Sequence, residues 1–143
     1  MKRQIATAAA TAIVGLAGVG IATAPAQAAE QSTTTRVGVN GGISCIELSA
    51  GSNLLARGCF DPNGDKFGAA DHEADGLRTV VKWETNYGRS GECHAAGGAG
   101  TTKTCNYDMR EDKKVRFKLI LRDGANGPDK VSTSWSPWES IGA

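Results

Sequence analysis

Residues 61–65, Asp-Pro-Asn-Gly-Asp, set three oxygen-bearing side chains, Asp61, Asn63 and Asp65, at alternate positions. Calcium takes oxygen ligands. An EF-hand-type loop supplies them at positions 1, 3 and 5, turns on a glycine at 6 and closes with a bidentate glutamate at 12. The first three conditions are met, but Lys66 stands at position 6 and His72 at position 12, with Glu73 one place late. The same residues also describe a hairpin turn. Asn63-Gly64 tolerates positive φ, and Asp61 and Asp65 can accept bonds from turn amides. The turn is the preferred reading and no cofactor is expected; Asp61, Asn63 and Asp65 are kept as calcium candidates.

Other reactive side chains are sparse. His72 lies between Asp71 and Glu73, and His94 follows Cys93; neighbouring side chains in extended chain diverge, so neither group forms a ready dyad or ligand pair. Gly88-Arg-Ser-Gly91 lacks the G-x-S-x-G nucleophile pattern. Carboxylates such as Asp65, Asp71 and Glu73 could serve a hydrolase at any sequence spacing, since the fold sets their separation. No catalytic residue is singled out, and the chain reads as non-enzymatic.

Cysteines stand at 45, 59, 93 and 105. An even number in a small exported chain implies two disulfides, for which three connectivities exist. Cys45 to Cys59 and Cys93 to Cys105 is the expected choice because each pair closes a short loop. By the chain-entropy account each bond would add about 3 kcal/mol. The gaps are too long for the paired ligands of a zinc site.

The elements that must position these residues begin after a targeting segment. Lys2 and Arg3, a weakly apolar stretch and the small-residue site Ala26-Gln27-Ala28 predict a secretory signal over residues 1–28. The remaining 115 residues of 143 suit one domain with a modest core. Without Lys2 and Arg3, 14 basic side chains face 15 acidic ones, a net charge of −1 instead of +1. That balance gives no electrostatic case for nucleic acid or an anionic membrane, and no later segment suits a span. The expected location is extracellular.

Residues 29–40 read as a flexible leader, or as a strand that orders only when something pairs with it. From 41 to 143, short alternating runs separated by Gly, Asn, Asp and Pro predict a small antiparallel β-sandwich, Ig-like or similar, with a small barrel as the rival. The clearest strand is Lys114 to Arg122, with Val115, Phe117, Leu119 and Leu121 on one face and Arg116, Lys118 and Arg122 on the other. Leu77 to Glu84 follows, its Leu77, Thr79, Val81 and Trp83 opposing Arg78, Val80, Lys82 and Glu84. Further strands are expected at 45–48, 54–60, 66–71, 89–93, 103–107 and 130–134.

Two of the three tryptophans, Trp135 and Trp138, flank Ser136-Pro137. This stretch resembles locally the tryptophan-arginine ladder of cytokine-receptor and thrombospondin-type modules. The cysteine framework of neither is present, and no function is carried over. The expected arrangement is a stack of indoles on the nearby cations, each contact contributing about 0.5–1 kcal/mol when exposed; the alternative is an aromatic contact patch for a protein or sugar partner.

Taken together, Gly64-Asp65-Lys66-Phe67, Asp71, Ala74-Asp75-Gly76, Gly98-Ala99-Gly100-Thr101, Cys105-Asn106 and Val115-Arg116-Phe117 resemble small secreted proteins of Streptomyces and related actinobacteria. Most members of that group have no assigned activity. Some exported proteins of this size act as adaptors in umbrella toxin particles, where an N-terminal segment engages a partner. The resemblance implies a non-enzymatic secreted module that binds another protein, through Arg36, Val37 and Val39 of the leader by strand addition or through Trp135 and Trp138. The alternative is an inhibitor of a secreted protease or amylase, inserting the loop Asn86 to Gly91 around Arg89.

Overall fold

The computed structural model describes residues 33–142. The expected signal segment and residues 29–32 of the leader lie outside the described residues. Ten strands follow: β1 (Thr33–Asn40), β2 (Ile43–Ala50), β3 (Asn53–Asp61), β4 (Lys66–Asp71), β5 (Arg78–Thr85), β6 (Ser90–Ala95), β7 (Thr102–Asn106), β8 (Lys114–Arg122), β9 (Asp129–Ser132) and β10 (Glu139–Ser140). One sheet has the order β1-β2-β3-β4-β7. The other runs β10-β8-β5-β6, with β9 also pairing with β8. All pairs are antiparallel, and the described residues are all-β and form a two-sheet sandwich.

Alternation decides which side chains meet between the sheets. β2 contributes Ile46 and Leu48, β3 Ala56 and Phe60, and β4 Phe67 and Ala69; opposite them lie Val81 and Trp83 of β5 and Val115, Phe117, Leu119 and Leu121 of β8. Phe67 is the hub. Its ring lies 4.9 Å from Phe60, 5.6 Å from Phe117 edge-on and 5.8 Å from the stacked indole of Trp83. Burial of each such ring contributes roughly 1.5–3 kcal/mol. Between Ala56 and Phe60 the inward position of β3 is Gly58. A Cβ there would lie 2.7 Å from Val81 Cγ2 and 2.9 Å from Leu119 Cδ1. The missing side chain lets the sheets close at their centre. Gly58→Ala is expected to lower stability by about 1–3 kcal/mol through overpacking, read from the midpoint of urea unfolding.

The two sides of the sandwich differ. On one, a disulfide joins Cys93 of β6 to Cys105 of β7 and so ties an edge of each sheet to the other. On the opposite side β1 packs on β2 alone. The second disulfide, Cys45–Cys59, links directly opposed residues of β2 and β3 on the outer face. Both bonds follow the expected pairing.

Several expectations need correction. The leader is not a free segment: residues 33–40 form β1, registered residue for residue against β2 from Thr33↔Ala50 to Asn40↔Ile43. Polar composition hid it because an edge strand held by backbone bonds needs no core side chains. Val80, expected on the wet face of β5, is fully buried and pairs with fully buried Ile120. The left-handed residues of the 61–65 turn are Gly64 and Asp65, not Asn63 and Gly64.

Candidate functional site: an open strand edge and a tryptophan ladder

The Asp-Pro-Asn-Gly-Asp segment serves as a connection between β3 and β4. Asp61 Oδ1 accepts the amide of Asn63 (2.9 Å), closing the turn locally. Asp65 turns inward: its Oδ2 accepts the Met109 amide (2.9 Å) and its carbonyl accepts the Tyr107 amide (3.0 Å). These bonds hold a non-glycine residue at φ 52°, a conformation that needs such support. The three calcium candidates are therefore split between a local turn and a tertiary anchor. No cluster of three or more His, Cys, Asp or Glu side chains placed to hold a metal ion occurs among the described residues.

Asp65 and Asp71 stand at opposite ends of β4, about 20 Å apart at strand rise, too far for a carboxylate pair. Asp71 is buried at the strand end, where its Oδ1 accepts the Glu73 amide (3.3 Å) and its Oδ2 has no protein partner. Burial raises its pKa above the ordinary carboxylate range, with nearby Asp75 and Glu73 adding to the effect. His72 beside it is exposed. His94 bonds instead to Glu92 (Nε2 to Oε2, 3.0 Å) on the outer face of the second sheet.

That outer face carries a charged cluster. Arg122 donates from Nη1 to Glu92 Oε2 (2.8 Å), from Nη2 to Glu92 Oε1 (3.1 Å) and from Nε to Asp129 Oδ1 (2.6 Å). Hydrogen bonding from Arg122 holds the Glu92 pKa below the ordinary range, with His94 helping and burial opposing. The cluster ties β6, β8 and β9 together.

Further along β8 lies the ladder. After β9 the chain follows the β8 edge without forming a regular strand. The amides of Thr133 and Ser136 donate to the carbonyls of Leu119 (2.9 Å) and Phe117 (2.7 Å). In return, Thr133 Oγ1 and Ser136 Oγ accept the Leu119 and Phe117 amides (both 3.0 Å). Hydroxyls stand in for the carbonyls a regular ladder would use. Pro137 favours polyproline II backbone, in which residues three apart share a face. Trp135 and Trp138 therefore both reach the cations of β8: the Arg116 guanidinium lies 5.0 Å from the Trp135 ring and 4.7 Å from that of Trp138, and Lys118 Nζ lies 5.2 Å from Trp135. Glu84, opposite in register, accepts from Arg116 Nε (2.7 Å) and Nη2 (2.5 Å). The stack read from the sequence is present.

The other partner-binding candidates fall at two places. Arg36, Val37 and Val39 lie on β1, whose eight residues are all exposed; Val37 is 54% and Val39 70% accessible. Val37 pairs with buried Ile46 and Val39 with buried Ser44, so both valines point to the side of the sheet that forms the core, yet β1 has no strand of the second sheet against it. Arg36 points the other way and makes no ion pair among the described residues, its cross-strand neighbour Glu47 being engaged by Arg57. Close by, Glu139 of β10 reaches Ser44 of β2, and burial raises its pKa against the effect of hydrogen bonds from Ser44 and Ser136.

Arg89 sits at the β5–β6 hairpin. Its guanidinium donates to the Asp108 carbonyl and lies 5.9 Å from the Trp83 ring. The residue is exposed, with its guanidinium turned back toward the domain. Composition gave no sign of this, because Asp108 and Trp83 are brought to it only by the sandwich.

No helix among the described residues is long and apolar enough to cross a membrane. Comparison with protein-family models, curated proteins and solved structures finds no match to this chain.

Proposed function

We propose that this chain is a secreted, non-enzymatic β-sandwich that binds another extracellular protein by strand addition at β1, as an adaptor subunit of a toxin assembly would. One observation carries the reading: β1 is an eight-residue edge strand, exposed throughout, with two valines facing the inner side where no second sheet covers them. A partner strand laid along β1 would satisfy the free backbone groups of the edge, and its apolar side chains would cover Val37 and Val39. Natural sheets usually protect such an edge with charged side chains, proline or a bulge; β1 carries the single charge of Arg36 and neither proline nor bulge. The two disulfides, the signal-like N-terminus and the likeness to secreted actinobacterial proteins support the extracellular setting.

The hydrolase-inhibitor alternative has less support, because entry of Arg89 into a partner's pocket would first break its bond to the Asp108 carbonyl. The test is affinity purification of the tagged protein from native culture supernatant. The wild-type chain is expected to recover a defined complex, and the double variant Val37→Lys, Val39→Lys to recover at least about tenfold less at an unchanged melting temperature, since both sites are exposed. Undiminished recovery by that variant, or loss of the partner on Arg89→Ala, would overturn the assignment to β1.

A further inference from the structure

The ladder ends in a feature that stacking alone does not require. Trp138 has the Arg116 guanidinium 4.7 Å from its ring centroid, yet 41% of the residue remains accessible. It lines a shallow depression of about 490 Å³ with Glu84, Thr85, Asn86, Gly88, Arg89 and Ser90 of the β5–β6 hairpin. The indole is held by its stack with Arg116 and, through the backbone, by the Ser136 amide on Phe117 and the Ile141 amide on Lys113 (3.0 Å). Ile141, three residues on, is fully buried. Binding here would therefore order little that is not already ordered.

The polar groups around this indole are only partly used. Glu84 Oε1 takes both bonds from Arg116, and Oε2 has no partner among the described residues. Asn86 Oδ1 accepts the Lys114 amide (3.1 Å), which fixes the side chain and leaves both Nδ2 hydrogens to donate. The Ser90 hydroxyl, next to Glu84 in register, has no side-chain bond among the described residues. A rigid flat apolar ring is thus set beside one carboxylate acceptor, one amide donor and one hydroxyl, while the Arg89 guanidinium of the same depression is turned to the Asp108 carbonyl.

We propose that this depression is a glycan subsite for a pyranose ring with equatorial substituents. The axial C–H groups of such a sugar form a flat apolar face that matches the indole. Its hydroxyls radiate at the ring edge, where Glu84 accepts and Asn86 and Ser90 donate. A peptide side chain on Trp138 would use the ring but would not call for three polar groups at its rim. The site is open and has one aromatic platform, so single-chain affinity falls in the millimolar range, a Kd of about 1 mM. Useful retention on a polysaccharide would come from several copies acting together. The site lies on the second sheet, while β1 is an edge of the first.

The test is a 15N-edited NMR titration with chitohexaose and, separately, cellohexaose up to about 10 mM. The three indole N–H signals report separately. The Trp138 indole and the Asn86 side-chain amide are expected to shift saturably with at least one of the two sugars, while buried Trp83 stays still. Trp138→Ala should abolish the shift. Asn86→Ala should weaken it severalfold while the Trp138 indole signal stays in place. No saturable shift with either sugar would overturn the proposal, as would shifts that survive Trp138→Ala. Perturbation of the same signals only by a protein from the culture supernatant would also overturn it and make the ladder a protein contact. Strand addition at β1 is read separately from recovery by the valine variant.

Discussion

Replacing Glu92 with glutamine is expected to lower unfolding stability by about 3 kcal/mol at neutral pH, with a fall in melting temperature on the order of 15 °C. Arg122 is only 8% exposed and spends both terminal nitrogens on Glu92. Removing that charge strands a guanidinium in a poorly hydrated place, and Asp129 on its Nε compensates for only part of the loss. Replacing both partners, as Glu92→Leu with Arg122→Met, is expected to cost less than the single change, because it removes the buried charge together with its partner.

The same variant should alter the response to acid. The folded-state pKa of Glu92 is depressed, so its stabilisation is fully present above the unfolded value of about 4.3 and is lost as pH falls through the folded value. Asp71 and Glu139 act in the opposite sense. Their folded pKa values are raised by burial, so whatever they contribute is present below the unfolded value and is lost as pH rises through the folded one. The wild-type protein should therefore weaken in acid below about pH 4.3, where the Glu92 contribution goes. Glu92→Gln should show a shallower acid limb. Chemical denaturation at intervals from neutral to acid pH measures both slopes, and parallel curves for the two proteins would refute this assignment.

Much of the fold was legible because its signals are local. Lys114 to Arg122 alternates except at Ile120, and the structure gives β8 those same bounds; Lys66 to Asp71 also coincides with β4. The disulfide pairing followed from short loops, which the β2–β3 pairing and the β6–β7 approach realise. β1 was not legible as an ordered strand, since its residues bury nothing and its order comes from β2. Val80 was misplaced because a second, smaller buried layer lies on the outer face of the β5–β8 pair, and period-2 alternation assigns only one face to a core. The tryptophan stack could be read from Trp135, Pro137 and Trp138 together with Arg116 and Lys118. The hydroxyl-for-carbonyl substitution by Thr133 and Ser136 that seats it could not, because two ordinary polar residues carry no sign of which amide they will meet.

Removing the Cys93–Cys105 bond, as Cys93→Ser with Cys105→Ser, is expected to cost about 3 kcal/mol, as is Cys45→Ser with Cys59→Ser, since the loops are of similar length, 12 and 14 residues of separation. Equal global losses should conceal different local ones. Cys45 and Cys59 are direct partners on a hairpin whose strands are already registered from Ser44↔Phe60 to Ala50↔Asn53, so without the bond β2 and β3 still protect one another. Cys105 lies on β7, which pairs with β4 on one side only and presents exposed or half-buried residues along its length. Its tie to β6 closes that side of the sandwich. Without it, amides of Thr102–Asn106 should exchange through local opening well below the global unfolding free energy, while those of β2 and β3 keep the global value. β7 is the other terminal strand of the sheet that β1 begins, and an edge strand freed from its tie to β6 promotes self-association. Hydrogen exchange resolved by residue, with sedimentation to follow association, separates the cases: the Cys93/Cys105 variant should lose protection in β7 and associate, and the Cys45/Cys59 variant should do neither. Uniform loss of protection in both variants would mean that the bonds act only through the unfolded chain.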